Sequence, residues 1–240
     1  MNIRAQRICA WCGPLLMVVF FVGFWVIAGF IPPPSPAEPA AAVVDRFREH
    51  TNSIRFGLLL CFYAGALCVP WAAAISVQLK RIEGRFSPFT YAQLALGACL
   101  PFEFIVPIYF WETAAFRPDR SPEIMQTLND LAWLPFTGVI YTIVVQALVI
   151  GIAVLMDKRE KPVFPRWFGY LSIWCALLFC PAGLDVFFHS GPLAWNGLVA
   201  WWVLLVAFFV WLATLSVVLL AAIRGQQTDE RNRALELVES

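Results

Sequence analysis

Pro101-Phe102-Glu103-Phe104-Ile105-Val106-Pro107 sets one carboxylate between two prolines, inside a run otherwise apolar enough to cross a bilayer. A charged group in such a run costs roughly 2.5–3.5 kcal/mol near the bilayer centre, so it marks either a functional site or a paired packing group. Whether this stretch is a membrane span decides the fold. The rest of the chain answers: of 240 residues, 60% are hydrophobic and only 14% charged, against roughly 25% charged in soluble domains. Repeated apolar runs of this length predict an all-α bundle in lipid, where each helix satisfies its own backbone groups.

Working outward, six spans are expected, at about 11–31, 55–79, 88–111, 130–156, 167–188 and 193–223. Together they form one membrane domain, 1–224, followed by a charged tail, 225–240, that reads as helical with Thr228 as its N-cap. Arg4 and Arg7 before the first run resemble a signal peptide, but Pro32-Pro33-Pro34-Ser35-Pro36 is a poor cleavage site, so a retained helix is expected. In the first long loop, Ser35-Pro36-Ala37-Glu38 matches a capping box. Val43, Val44, Phe47 and Ile54 then fall on one face opposite Asp45, Arg46, Glu49 and Arg55, which suits a short interfacial helix. Ser121-Pro122-Glu123 starts a helix that continues to Met156, with a bend expected at Pro135, and Cys180-Pro181-Ala182-Gly183 interrupts the fifth span.

Six spans put both termini on one side, and the positive-inside rule makes that side cytoplasmic. The termini and the loops after the second and fourth spans then hold 12 of the 17 Lys and Arg residues, leaving 5 outside. Trp11 and Trp167 at the inner face, with Trp111, Trp133 and Trp195 at the outer, fit the same orientation. A net charge of +1 gives no basic excess for nucleic acid. The seven cysteines lie in or beside apolar runs and read as small buried hydrophobes; Cys9-x-x-Cys12 lacks a second such pair for a metal site.

The stretch Pro162-Val163-Phe164-Pro165-Arg166-Trp167-Phe168-Gly169-Tyr170, continuing to Pro181-Ala182-Gly183, resembles uncharacterised six-helix integral membrane proteins of bacteria. The resemblance implies a bacterial inner membrane and brings no activity with it.

With this orientation the polar groups of the spans gather toward the outer side. Glu103 lies roughly 20 Å from the cytoplasmic start of its span, and Asp185 lies late in an outward-going helix with His189 four residues on. Glu112 and Asp130 flank the outer loop between the third and fourth spans, which contains Arg117. Glu103, Asp185, His189, Arg117 and Asp130 are therefore the candidate ligand-binding residues. The cytoplasmic half holds little beyond Gln78, Gln146, Ser172 and Ser216. His50, His189, Glu112 and Asp185 lack metal-ligand spacing, and nucleophile motifs, a P-loop, a dinucleotide glycine pattern and haem-type paired histidines are absent. No catalytic residue, metal set or cofactor is thus indicated.

The leading expectation is a non-enzymatic protein that binds or moves a small apolar molecule through a cleft open to the outer side. The alternatives are a structural subunit of a membrane complex, with a membrane-protein partner, and a membrane enzyme that uses the Asp185–His189 pair on a lipid-soluble substrate. The 21 phenylalanines and 11 tryptophans serve packing and interfacial anchoring, and would suit a hydrophobic ligand if they lined an inner cleft.

Overall fold

The computed structural model describes residues 2–239, which form helices and turns with no strand among them. Six helical stretches are long and apolar enough to cross a membrane: Ile3–Ile27, Thr51–Glu83, Pro88–Phe116, Pro122–Met156, Arg166–Phe187 and Leu198–Leu237. Large apolar side chains such as Val18, Trp25, Tyr170, Trp174, Leu177, Val206 and Val217 stand exposed around the bundle, an arrangement water would oppose and lipid accepts. An even number of crossings returns the chain to the end where it began, called here the terminal end.

Most spans are broken helices, and the breaks have identifiable causes. The first, α1 (Ile3–Phe21), starts well before Trp11 because the Asn2 side chain caps it, accepting from the Ala5 amide at 3.0 Å. It continues through a π-helical turn, Val22–Ile27, and ends at Gly29, whose φ of +71° reverses the chain. The second span divides into α3 (Thr51–Ala66) and α4 (Cys68–Glu83), with Pro70 unable to donate to the carbonyl four residues back. The third, α5 (Pro88–Phe116), runs unbroken through Pro101 and Pro107 and packs against α3, α4, α6 and α7.

The fourth span splits into α6 (Pro122–Gly138) and α7 (Tyr141–Met156). The break falls at Val139–Ile140 and not at Pro135: the Val139 amide still reaches the Pro135 carbonyl at 3.0 Å, while the Ile140 amide turns to Gly138 at 3.0 Å. In the fifth span α8 (Arg166–Phe179) tightens into a 3-10 segment, Cys180–Phe187, at the expected Pro181. The sixth begins at Leu198, later than Leu193, because residues 191–197 form a turn held by Gly197 amide to Ala194 carbonyl at 2.7 Å. It opens with a π-helical turn, Leu198–Val203, and runs on as α9 (Leu204–Glu239) without interruption. Thr228 is therefore no N-cap; its hydroxyl donates back to the Arg224 carbonyl at 3.3 Å, inside the helix.

In the first loop α2 (Ala40–Glu49) starts after Pro39, four residues later than the capping-box motif suggests. Ser35 and Glu38 do engage each other, but within a tight turn, where the Glu38 carboxylate accepts from the Ser35 amide at 3.3 Å. The apolar face of α2 is buried as its spacing requires: Val43, Val44 and Phe47 join a core with Met125 of α6 and Trp111 of α5.

At the terminal end, the Gln78 amide donates to Gln6 at 2.6 Å and to Gln226 at 2.8 Å, joining spans one, two and six. The loop after α7 is anchored by Asp157, whose side chain is 2% exposed. Burial alone would push this carboxyl up, yet Arg159 at 2.8 Å and the Val163 amide at 2.9 Å outweigh that and hold it below the usual carboxylate range. A group with a lowered folded pKa stabilises the fold above its unfolded value of about 3.9, and that contribution is lost as pH falls through the folded value. Asp157→Asn is accordingly expected to lower stability by about 2 kcal/mol at pH 7, within the range for charge-assisted hydrogen bonds. The deficit should disappear as pH falls through the lowered folded value, as read from thermal unfolding in detergent at several pH values.

Candidate functional site

The carboxylate in the opening stretch lies beside an aromatic cavity. Helical spacing puts Phe20 and Phe24 on one face of the first span, Phe104 next to Glu103 on α5, Phe136 at the end of α6, and Trp201 and Phe208 in the sixth span. Packing of the four spans brings these rings together. Phe24 stacks on Phe136 with centroids 4.9 Å apart, Phe20 meets Phe104 at 5.1 Å, and Trp133 meets Trp201 at 5.6 Å. Rings this size do not tile the space completely, and they leave a cavity of about 90 Å³ also bounded by Glu103, Val139, Ile143 and Phe209.

Glu103 is the one charged residue of that lining. Pro107 has no N–H to offer the Glu103 carbonyl four residues back, so the residue presents a freed backbone acceptor besides its carboxyl. The Thr142 hydroxyl at the start of α7 donates to the Glu103 carboxylate. Across the cavity Trp201 is 3% exposed, and its indole N–H has no acceptor. The site thus offers a carboxyl and an unsatisfied donor within an aromatic wall.

Toward the loop end of the bundle the cavity is closed. Phe30, Trp111 and Trp133 form a buried layer above it, with Phe30 and Trp133 each 4.8 Å from Trp111. Beyond that layer lies a separate polar cavity of about 270 Å³, bounded by Pro32–Ser35, Glu38, Arg46 and Asn129. There Arg46 pairs with Glu38, and the Trp195 indole pins the proline loop by donating to the Pro34 carbonyl at 2.8 Å. The exposed members of the Glu103 cavity, Phe21 and Val139, lie instead on the side of the bundle. Both lie within stretches long and apolar enough to cross a membrane, not in the loops.

Of the five candidate residues only Glu103 lines this cavity. Asp185 is 1% exposed and sits in the space left by the missing side chain of Gly138, where a Cβ would come within 2.5 Å of its carboxyl oxygen. Neither of its oxygens has a hydrogen-bond partner. The Asp185–His189 pair does not form. The 3-10 segment ends at Phe187, Phe188 is extended (φ −131°, ψ 120°), and His189 is exposed. Three residues per turn also turn position i+4 away from i, which an α-helix would not do. Asp130 is half-buried on α6 within electrostatic range of His189. Arg117 is exposed and stacks over the Phe116 ring at 5.7 Å. His50, His189, Glu112 and Asp185 do not gather; no group of three or more His, Cys, Asp or Glu side chains fit to hold a metal ion occurs among the described residues.

The residues that the sequence left unnamed are Thr142, Trp201 and the ring cluster. The i, i+4 pair Phe20–Phe24 and the adjacent Phe104 were visible, but nothing local tells a ring facing a cavity from one facing lipid. Compared with known proteins, the chain matches no family model, no curated protein and no solved structure.

Proposed function

We propose that this protein is a membrane-embedded binding protein that admits an apolar molecule sideways from the bilayer into the aromatic cavity beside Glu103. The observation that supports it is the cavity's composition: aromatic rings, one carboxyl, one unsatisfied indole N–H, and two exposed lining residues, Phe21 and Val139, within the apolar spans. Size narrows the ligand. About 90 Å³ is less than the roughly 150 Å³ that houses benzene in an engineered apolar cavity. A bound molecule therefore buries one head or one segment here and leaves the rest in lipid. A head that donates to a carboxylate, such as an amine or hydroxyl on a hydrocarbon body, matches Glu103; an acceptor on the same head matches Trp201. In the bacterial inner-membrane orientation read from the charges, the cavity lies in the outer half of the bilayer.

Binding of a long-chain primary amine, followed by quenching of tryptophan fluorescence in nanodiscs, checks this reading. Glu103→Gln is expected to weaken amine binding about tenfold, equivalent to the 1.4 kcal/mol at the low end for a hydrogen bond to a charged group. Glu103→Leu should weaken it further, and the matching alkane should bind all three proteins alike. Equal amine binding by wild type and both variants would sink the proposal.

A further inference from the structure

At the loop end of the bundle, α3 and α5 pack together beside an open groove of about 540 Å³ that shares no residue with the Glu103 cavity. Its lining divides by chemistry. Arg55 and Glu112 each lie four residues from the loop end of their helices, Thr51 for α3 and Phe116 for α5. Apolar side chains take the rest. Phe56 and Leu59 stand exposed, and their spacing of three puts them on one face of α3. Phe62, further along the same helix, meets Tyr109 of α5 with ring centroids 4.9 Å apart.

The two charges are not spent on each other. Arg55 is within electrostatic range of Glu112 but forms no salt bridge with it. Arg55 donates to the Phe116 carbonyl at 3.3 Å and stacks over the Phe116 ring at 5.8 Å, which leaves most of its N–H donors free. Glu112 is half-buried, and its carboxylate forms no hydrogen bond or ion pair among the described residues.

Depth says what reaches them. The stretches Thr51–Glu83 and Pro88–Phe116 hold 33 and 29 residues, roughly 50 and 44 Å at 1.5 Å per residue. That exceeds a hydrocarbon core of about 30 Å and matches the roughly 40–45 Å of a bilayer with its headgroups. Arg55 and Glu112, about 6 Å from their helix ends, therefore stand at headgroup level, and Phe56, Leu59 and Phe62 lead from there toward the acyl chains. A guanidinium fork matches the oxygens of a phosphate. A half-buried carboxylate without a partner calls for a cationic donor.

We propose that this groove is a site for one phospholipid with a primary-ammonium headgroup, of the phosphatidylethanolamine class. The phosphate accepts from Arg55, the ammonium donates to Glu112, and one acyl chain lies over Phe56, Leu59 and Phe62. A glycerol headgroup has no cation for Glu112, and a choline headgroup has no N–H to donate, so neither supplies both contacts. The site rests on its own residues and stands or falls apart from ligand binding at Glu103.

Native mass spectrometry of the detergent-solubilised protein tests it, with dioleoyl phosphatidylethanolamine, phosphatidylcholine and phosphatidylglycerol titrated separately. Wild type is expected to bind the ethanolamine lipid about tenfold tighter than either of the others. Glu112→Gln should bring the ethanolamine lipid down to the level of phosphatidylcholine without weakening phosphatidylglycerol. Arg55→Gln should weaken all three, and Leu59→Trp, which fills the exposed groove, replaces it if that variant fails to fold. Glu49→Gln, an exposed acid of α2 outside the groove, should bind as wild type does. Equal binding of the three lipids by wild type, or an ethanolamine preference that survives in Glu112→Gln, overturns the proposal. A preference lost in Glu103→Gln and kept in Glu112→Gln would place the lipid at the aromatic cavity and overturn it as well. An ethanolamine preference that depends on Glu112, in a protein that binds no long-chain amine, leaves this site standing and removes the Glu103 reading alone.

Discussion

Gly57→Leu is expected to yield no folded protein, and Gly57→Ala to lose about 3 kcal/mol, the upper end of ordinary overpacking. The first and second spans touch backbone to backbone at Gly57 and Gly23: a Cβ on Gly23 would lie 2.6 Å from the Gly57 carbonyl, and one on Gly57 would lie 2.7 Å from the Ala28 amide. Backbone cannot rotate aside as a long side chain can, and small residues at such crossings are what allow membrane helices to approach closely. The same contact sets the register that carries Phe20 and Phe24 to the cavity. Recovery of monodisperse protein in mild detergent, with thermal unfolding of the alanine variant, checks the expectation. Wild-type stability in Gly57→Ala would show that the spans can separate without loss.

Asp185→Ala should have the opposite sign and raise stability by roughly 2–3 kcal/mol, the cost of an ionisable group in the membrane interior. The carboxyl is buried against Gly138 with no hydrogen bond, so truncation removes an uncompensated polar group and leaves only a small void. An ion or water held by Asp185 would reverse the sign, because truncation would then cost that interaction. Thermal unfolding of wild type and Asp185→Ala, with and without monovalent cations, separates the two cases. Gly138→Ala, in turn, is expected to destabilise, since its Cβ meets the carboxyl at 2.5 Å.

The spans were legible because hydropathy over some 20 residues reports directly on what lipid requires. The break at Pro181 was visible for an equally local reason, a missing N–H. The proline rule also applied at Pro135, yet the helix persists to Gly138 and opens where Asp185 of another span takes the glycine's space. Contacts between spans of this kind have no signature in local sequence. The same limit hid the site. Glu103 stood out as a charge among apolar residues, but its Thr142 partner is 39 positions away. The Asp185–His189 pairing assumed α-helical periodicity, and the 3-10 geometry of Cys180–Phe187 cancelled it. The terminal half looked sparse in polar groups because Gln93, Ser76 and Thr90, unremarkable one by one, meet only when α4 and α5 pack together.

We propose above that the cavity beside Glu103 is entered from the lipid. Photolabelling in nanodiscs with a long-chain amine that carries a diazirine next to its nitrogen tests it most directly, with the labelled residues mapped by peptide mass spectrometry. Label is expected on Phe104, Phe136 and Trp201, reduced at least tenfold in Glu103→Gln. Label confined to the exposed outer faces, such as Tyr170, Trp174 and Leu177 of α8, with no change in Glu103→Gln, would contradict it.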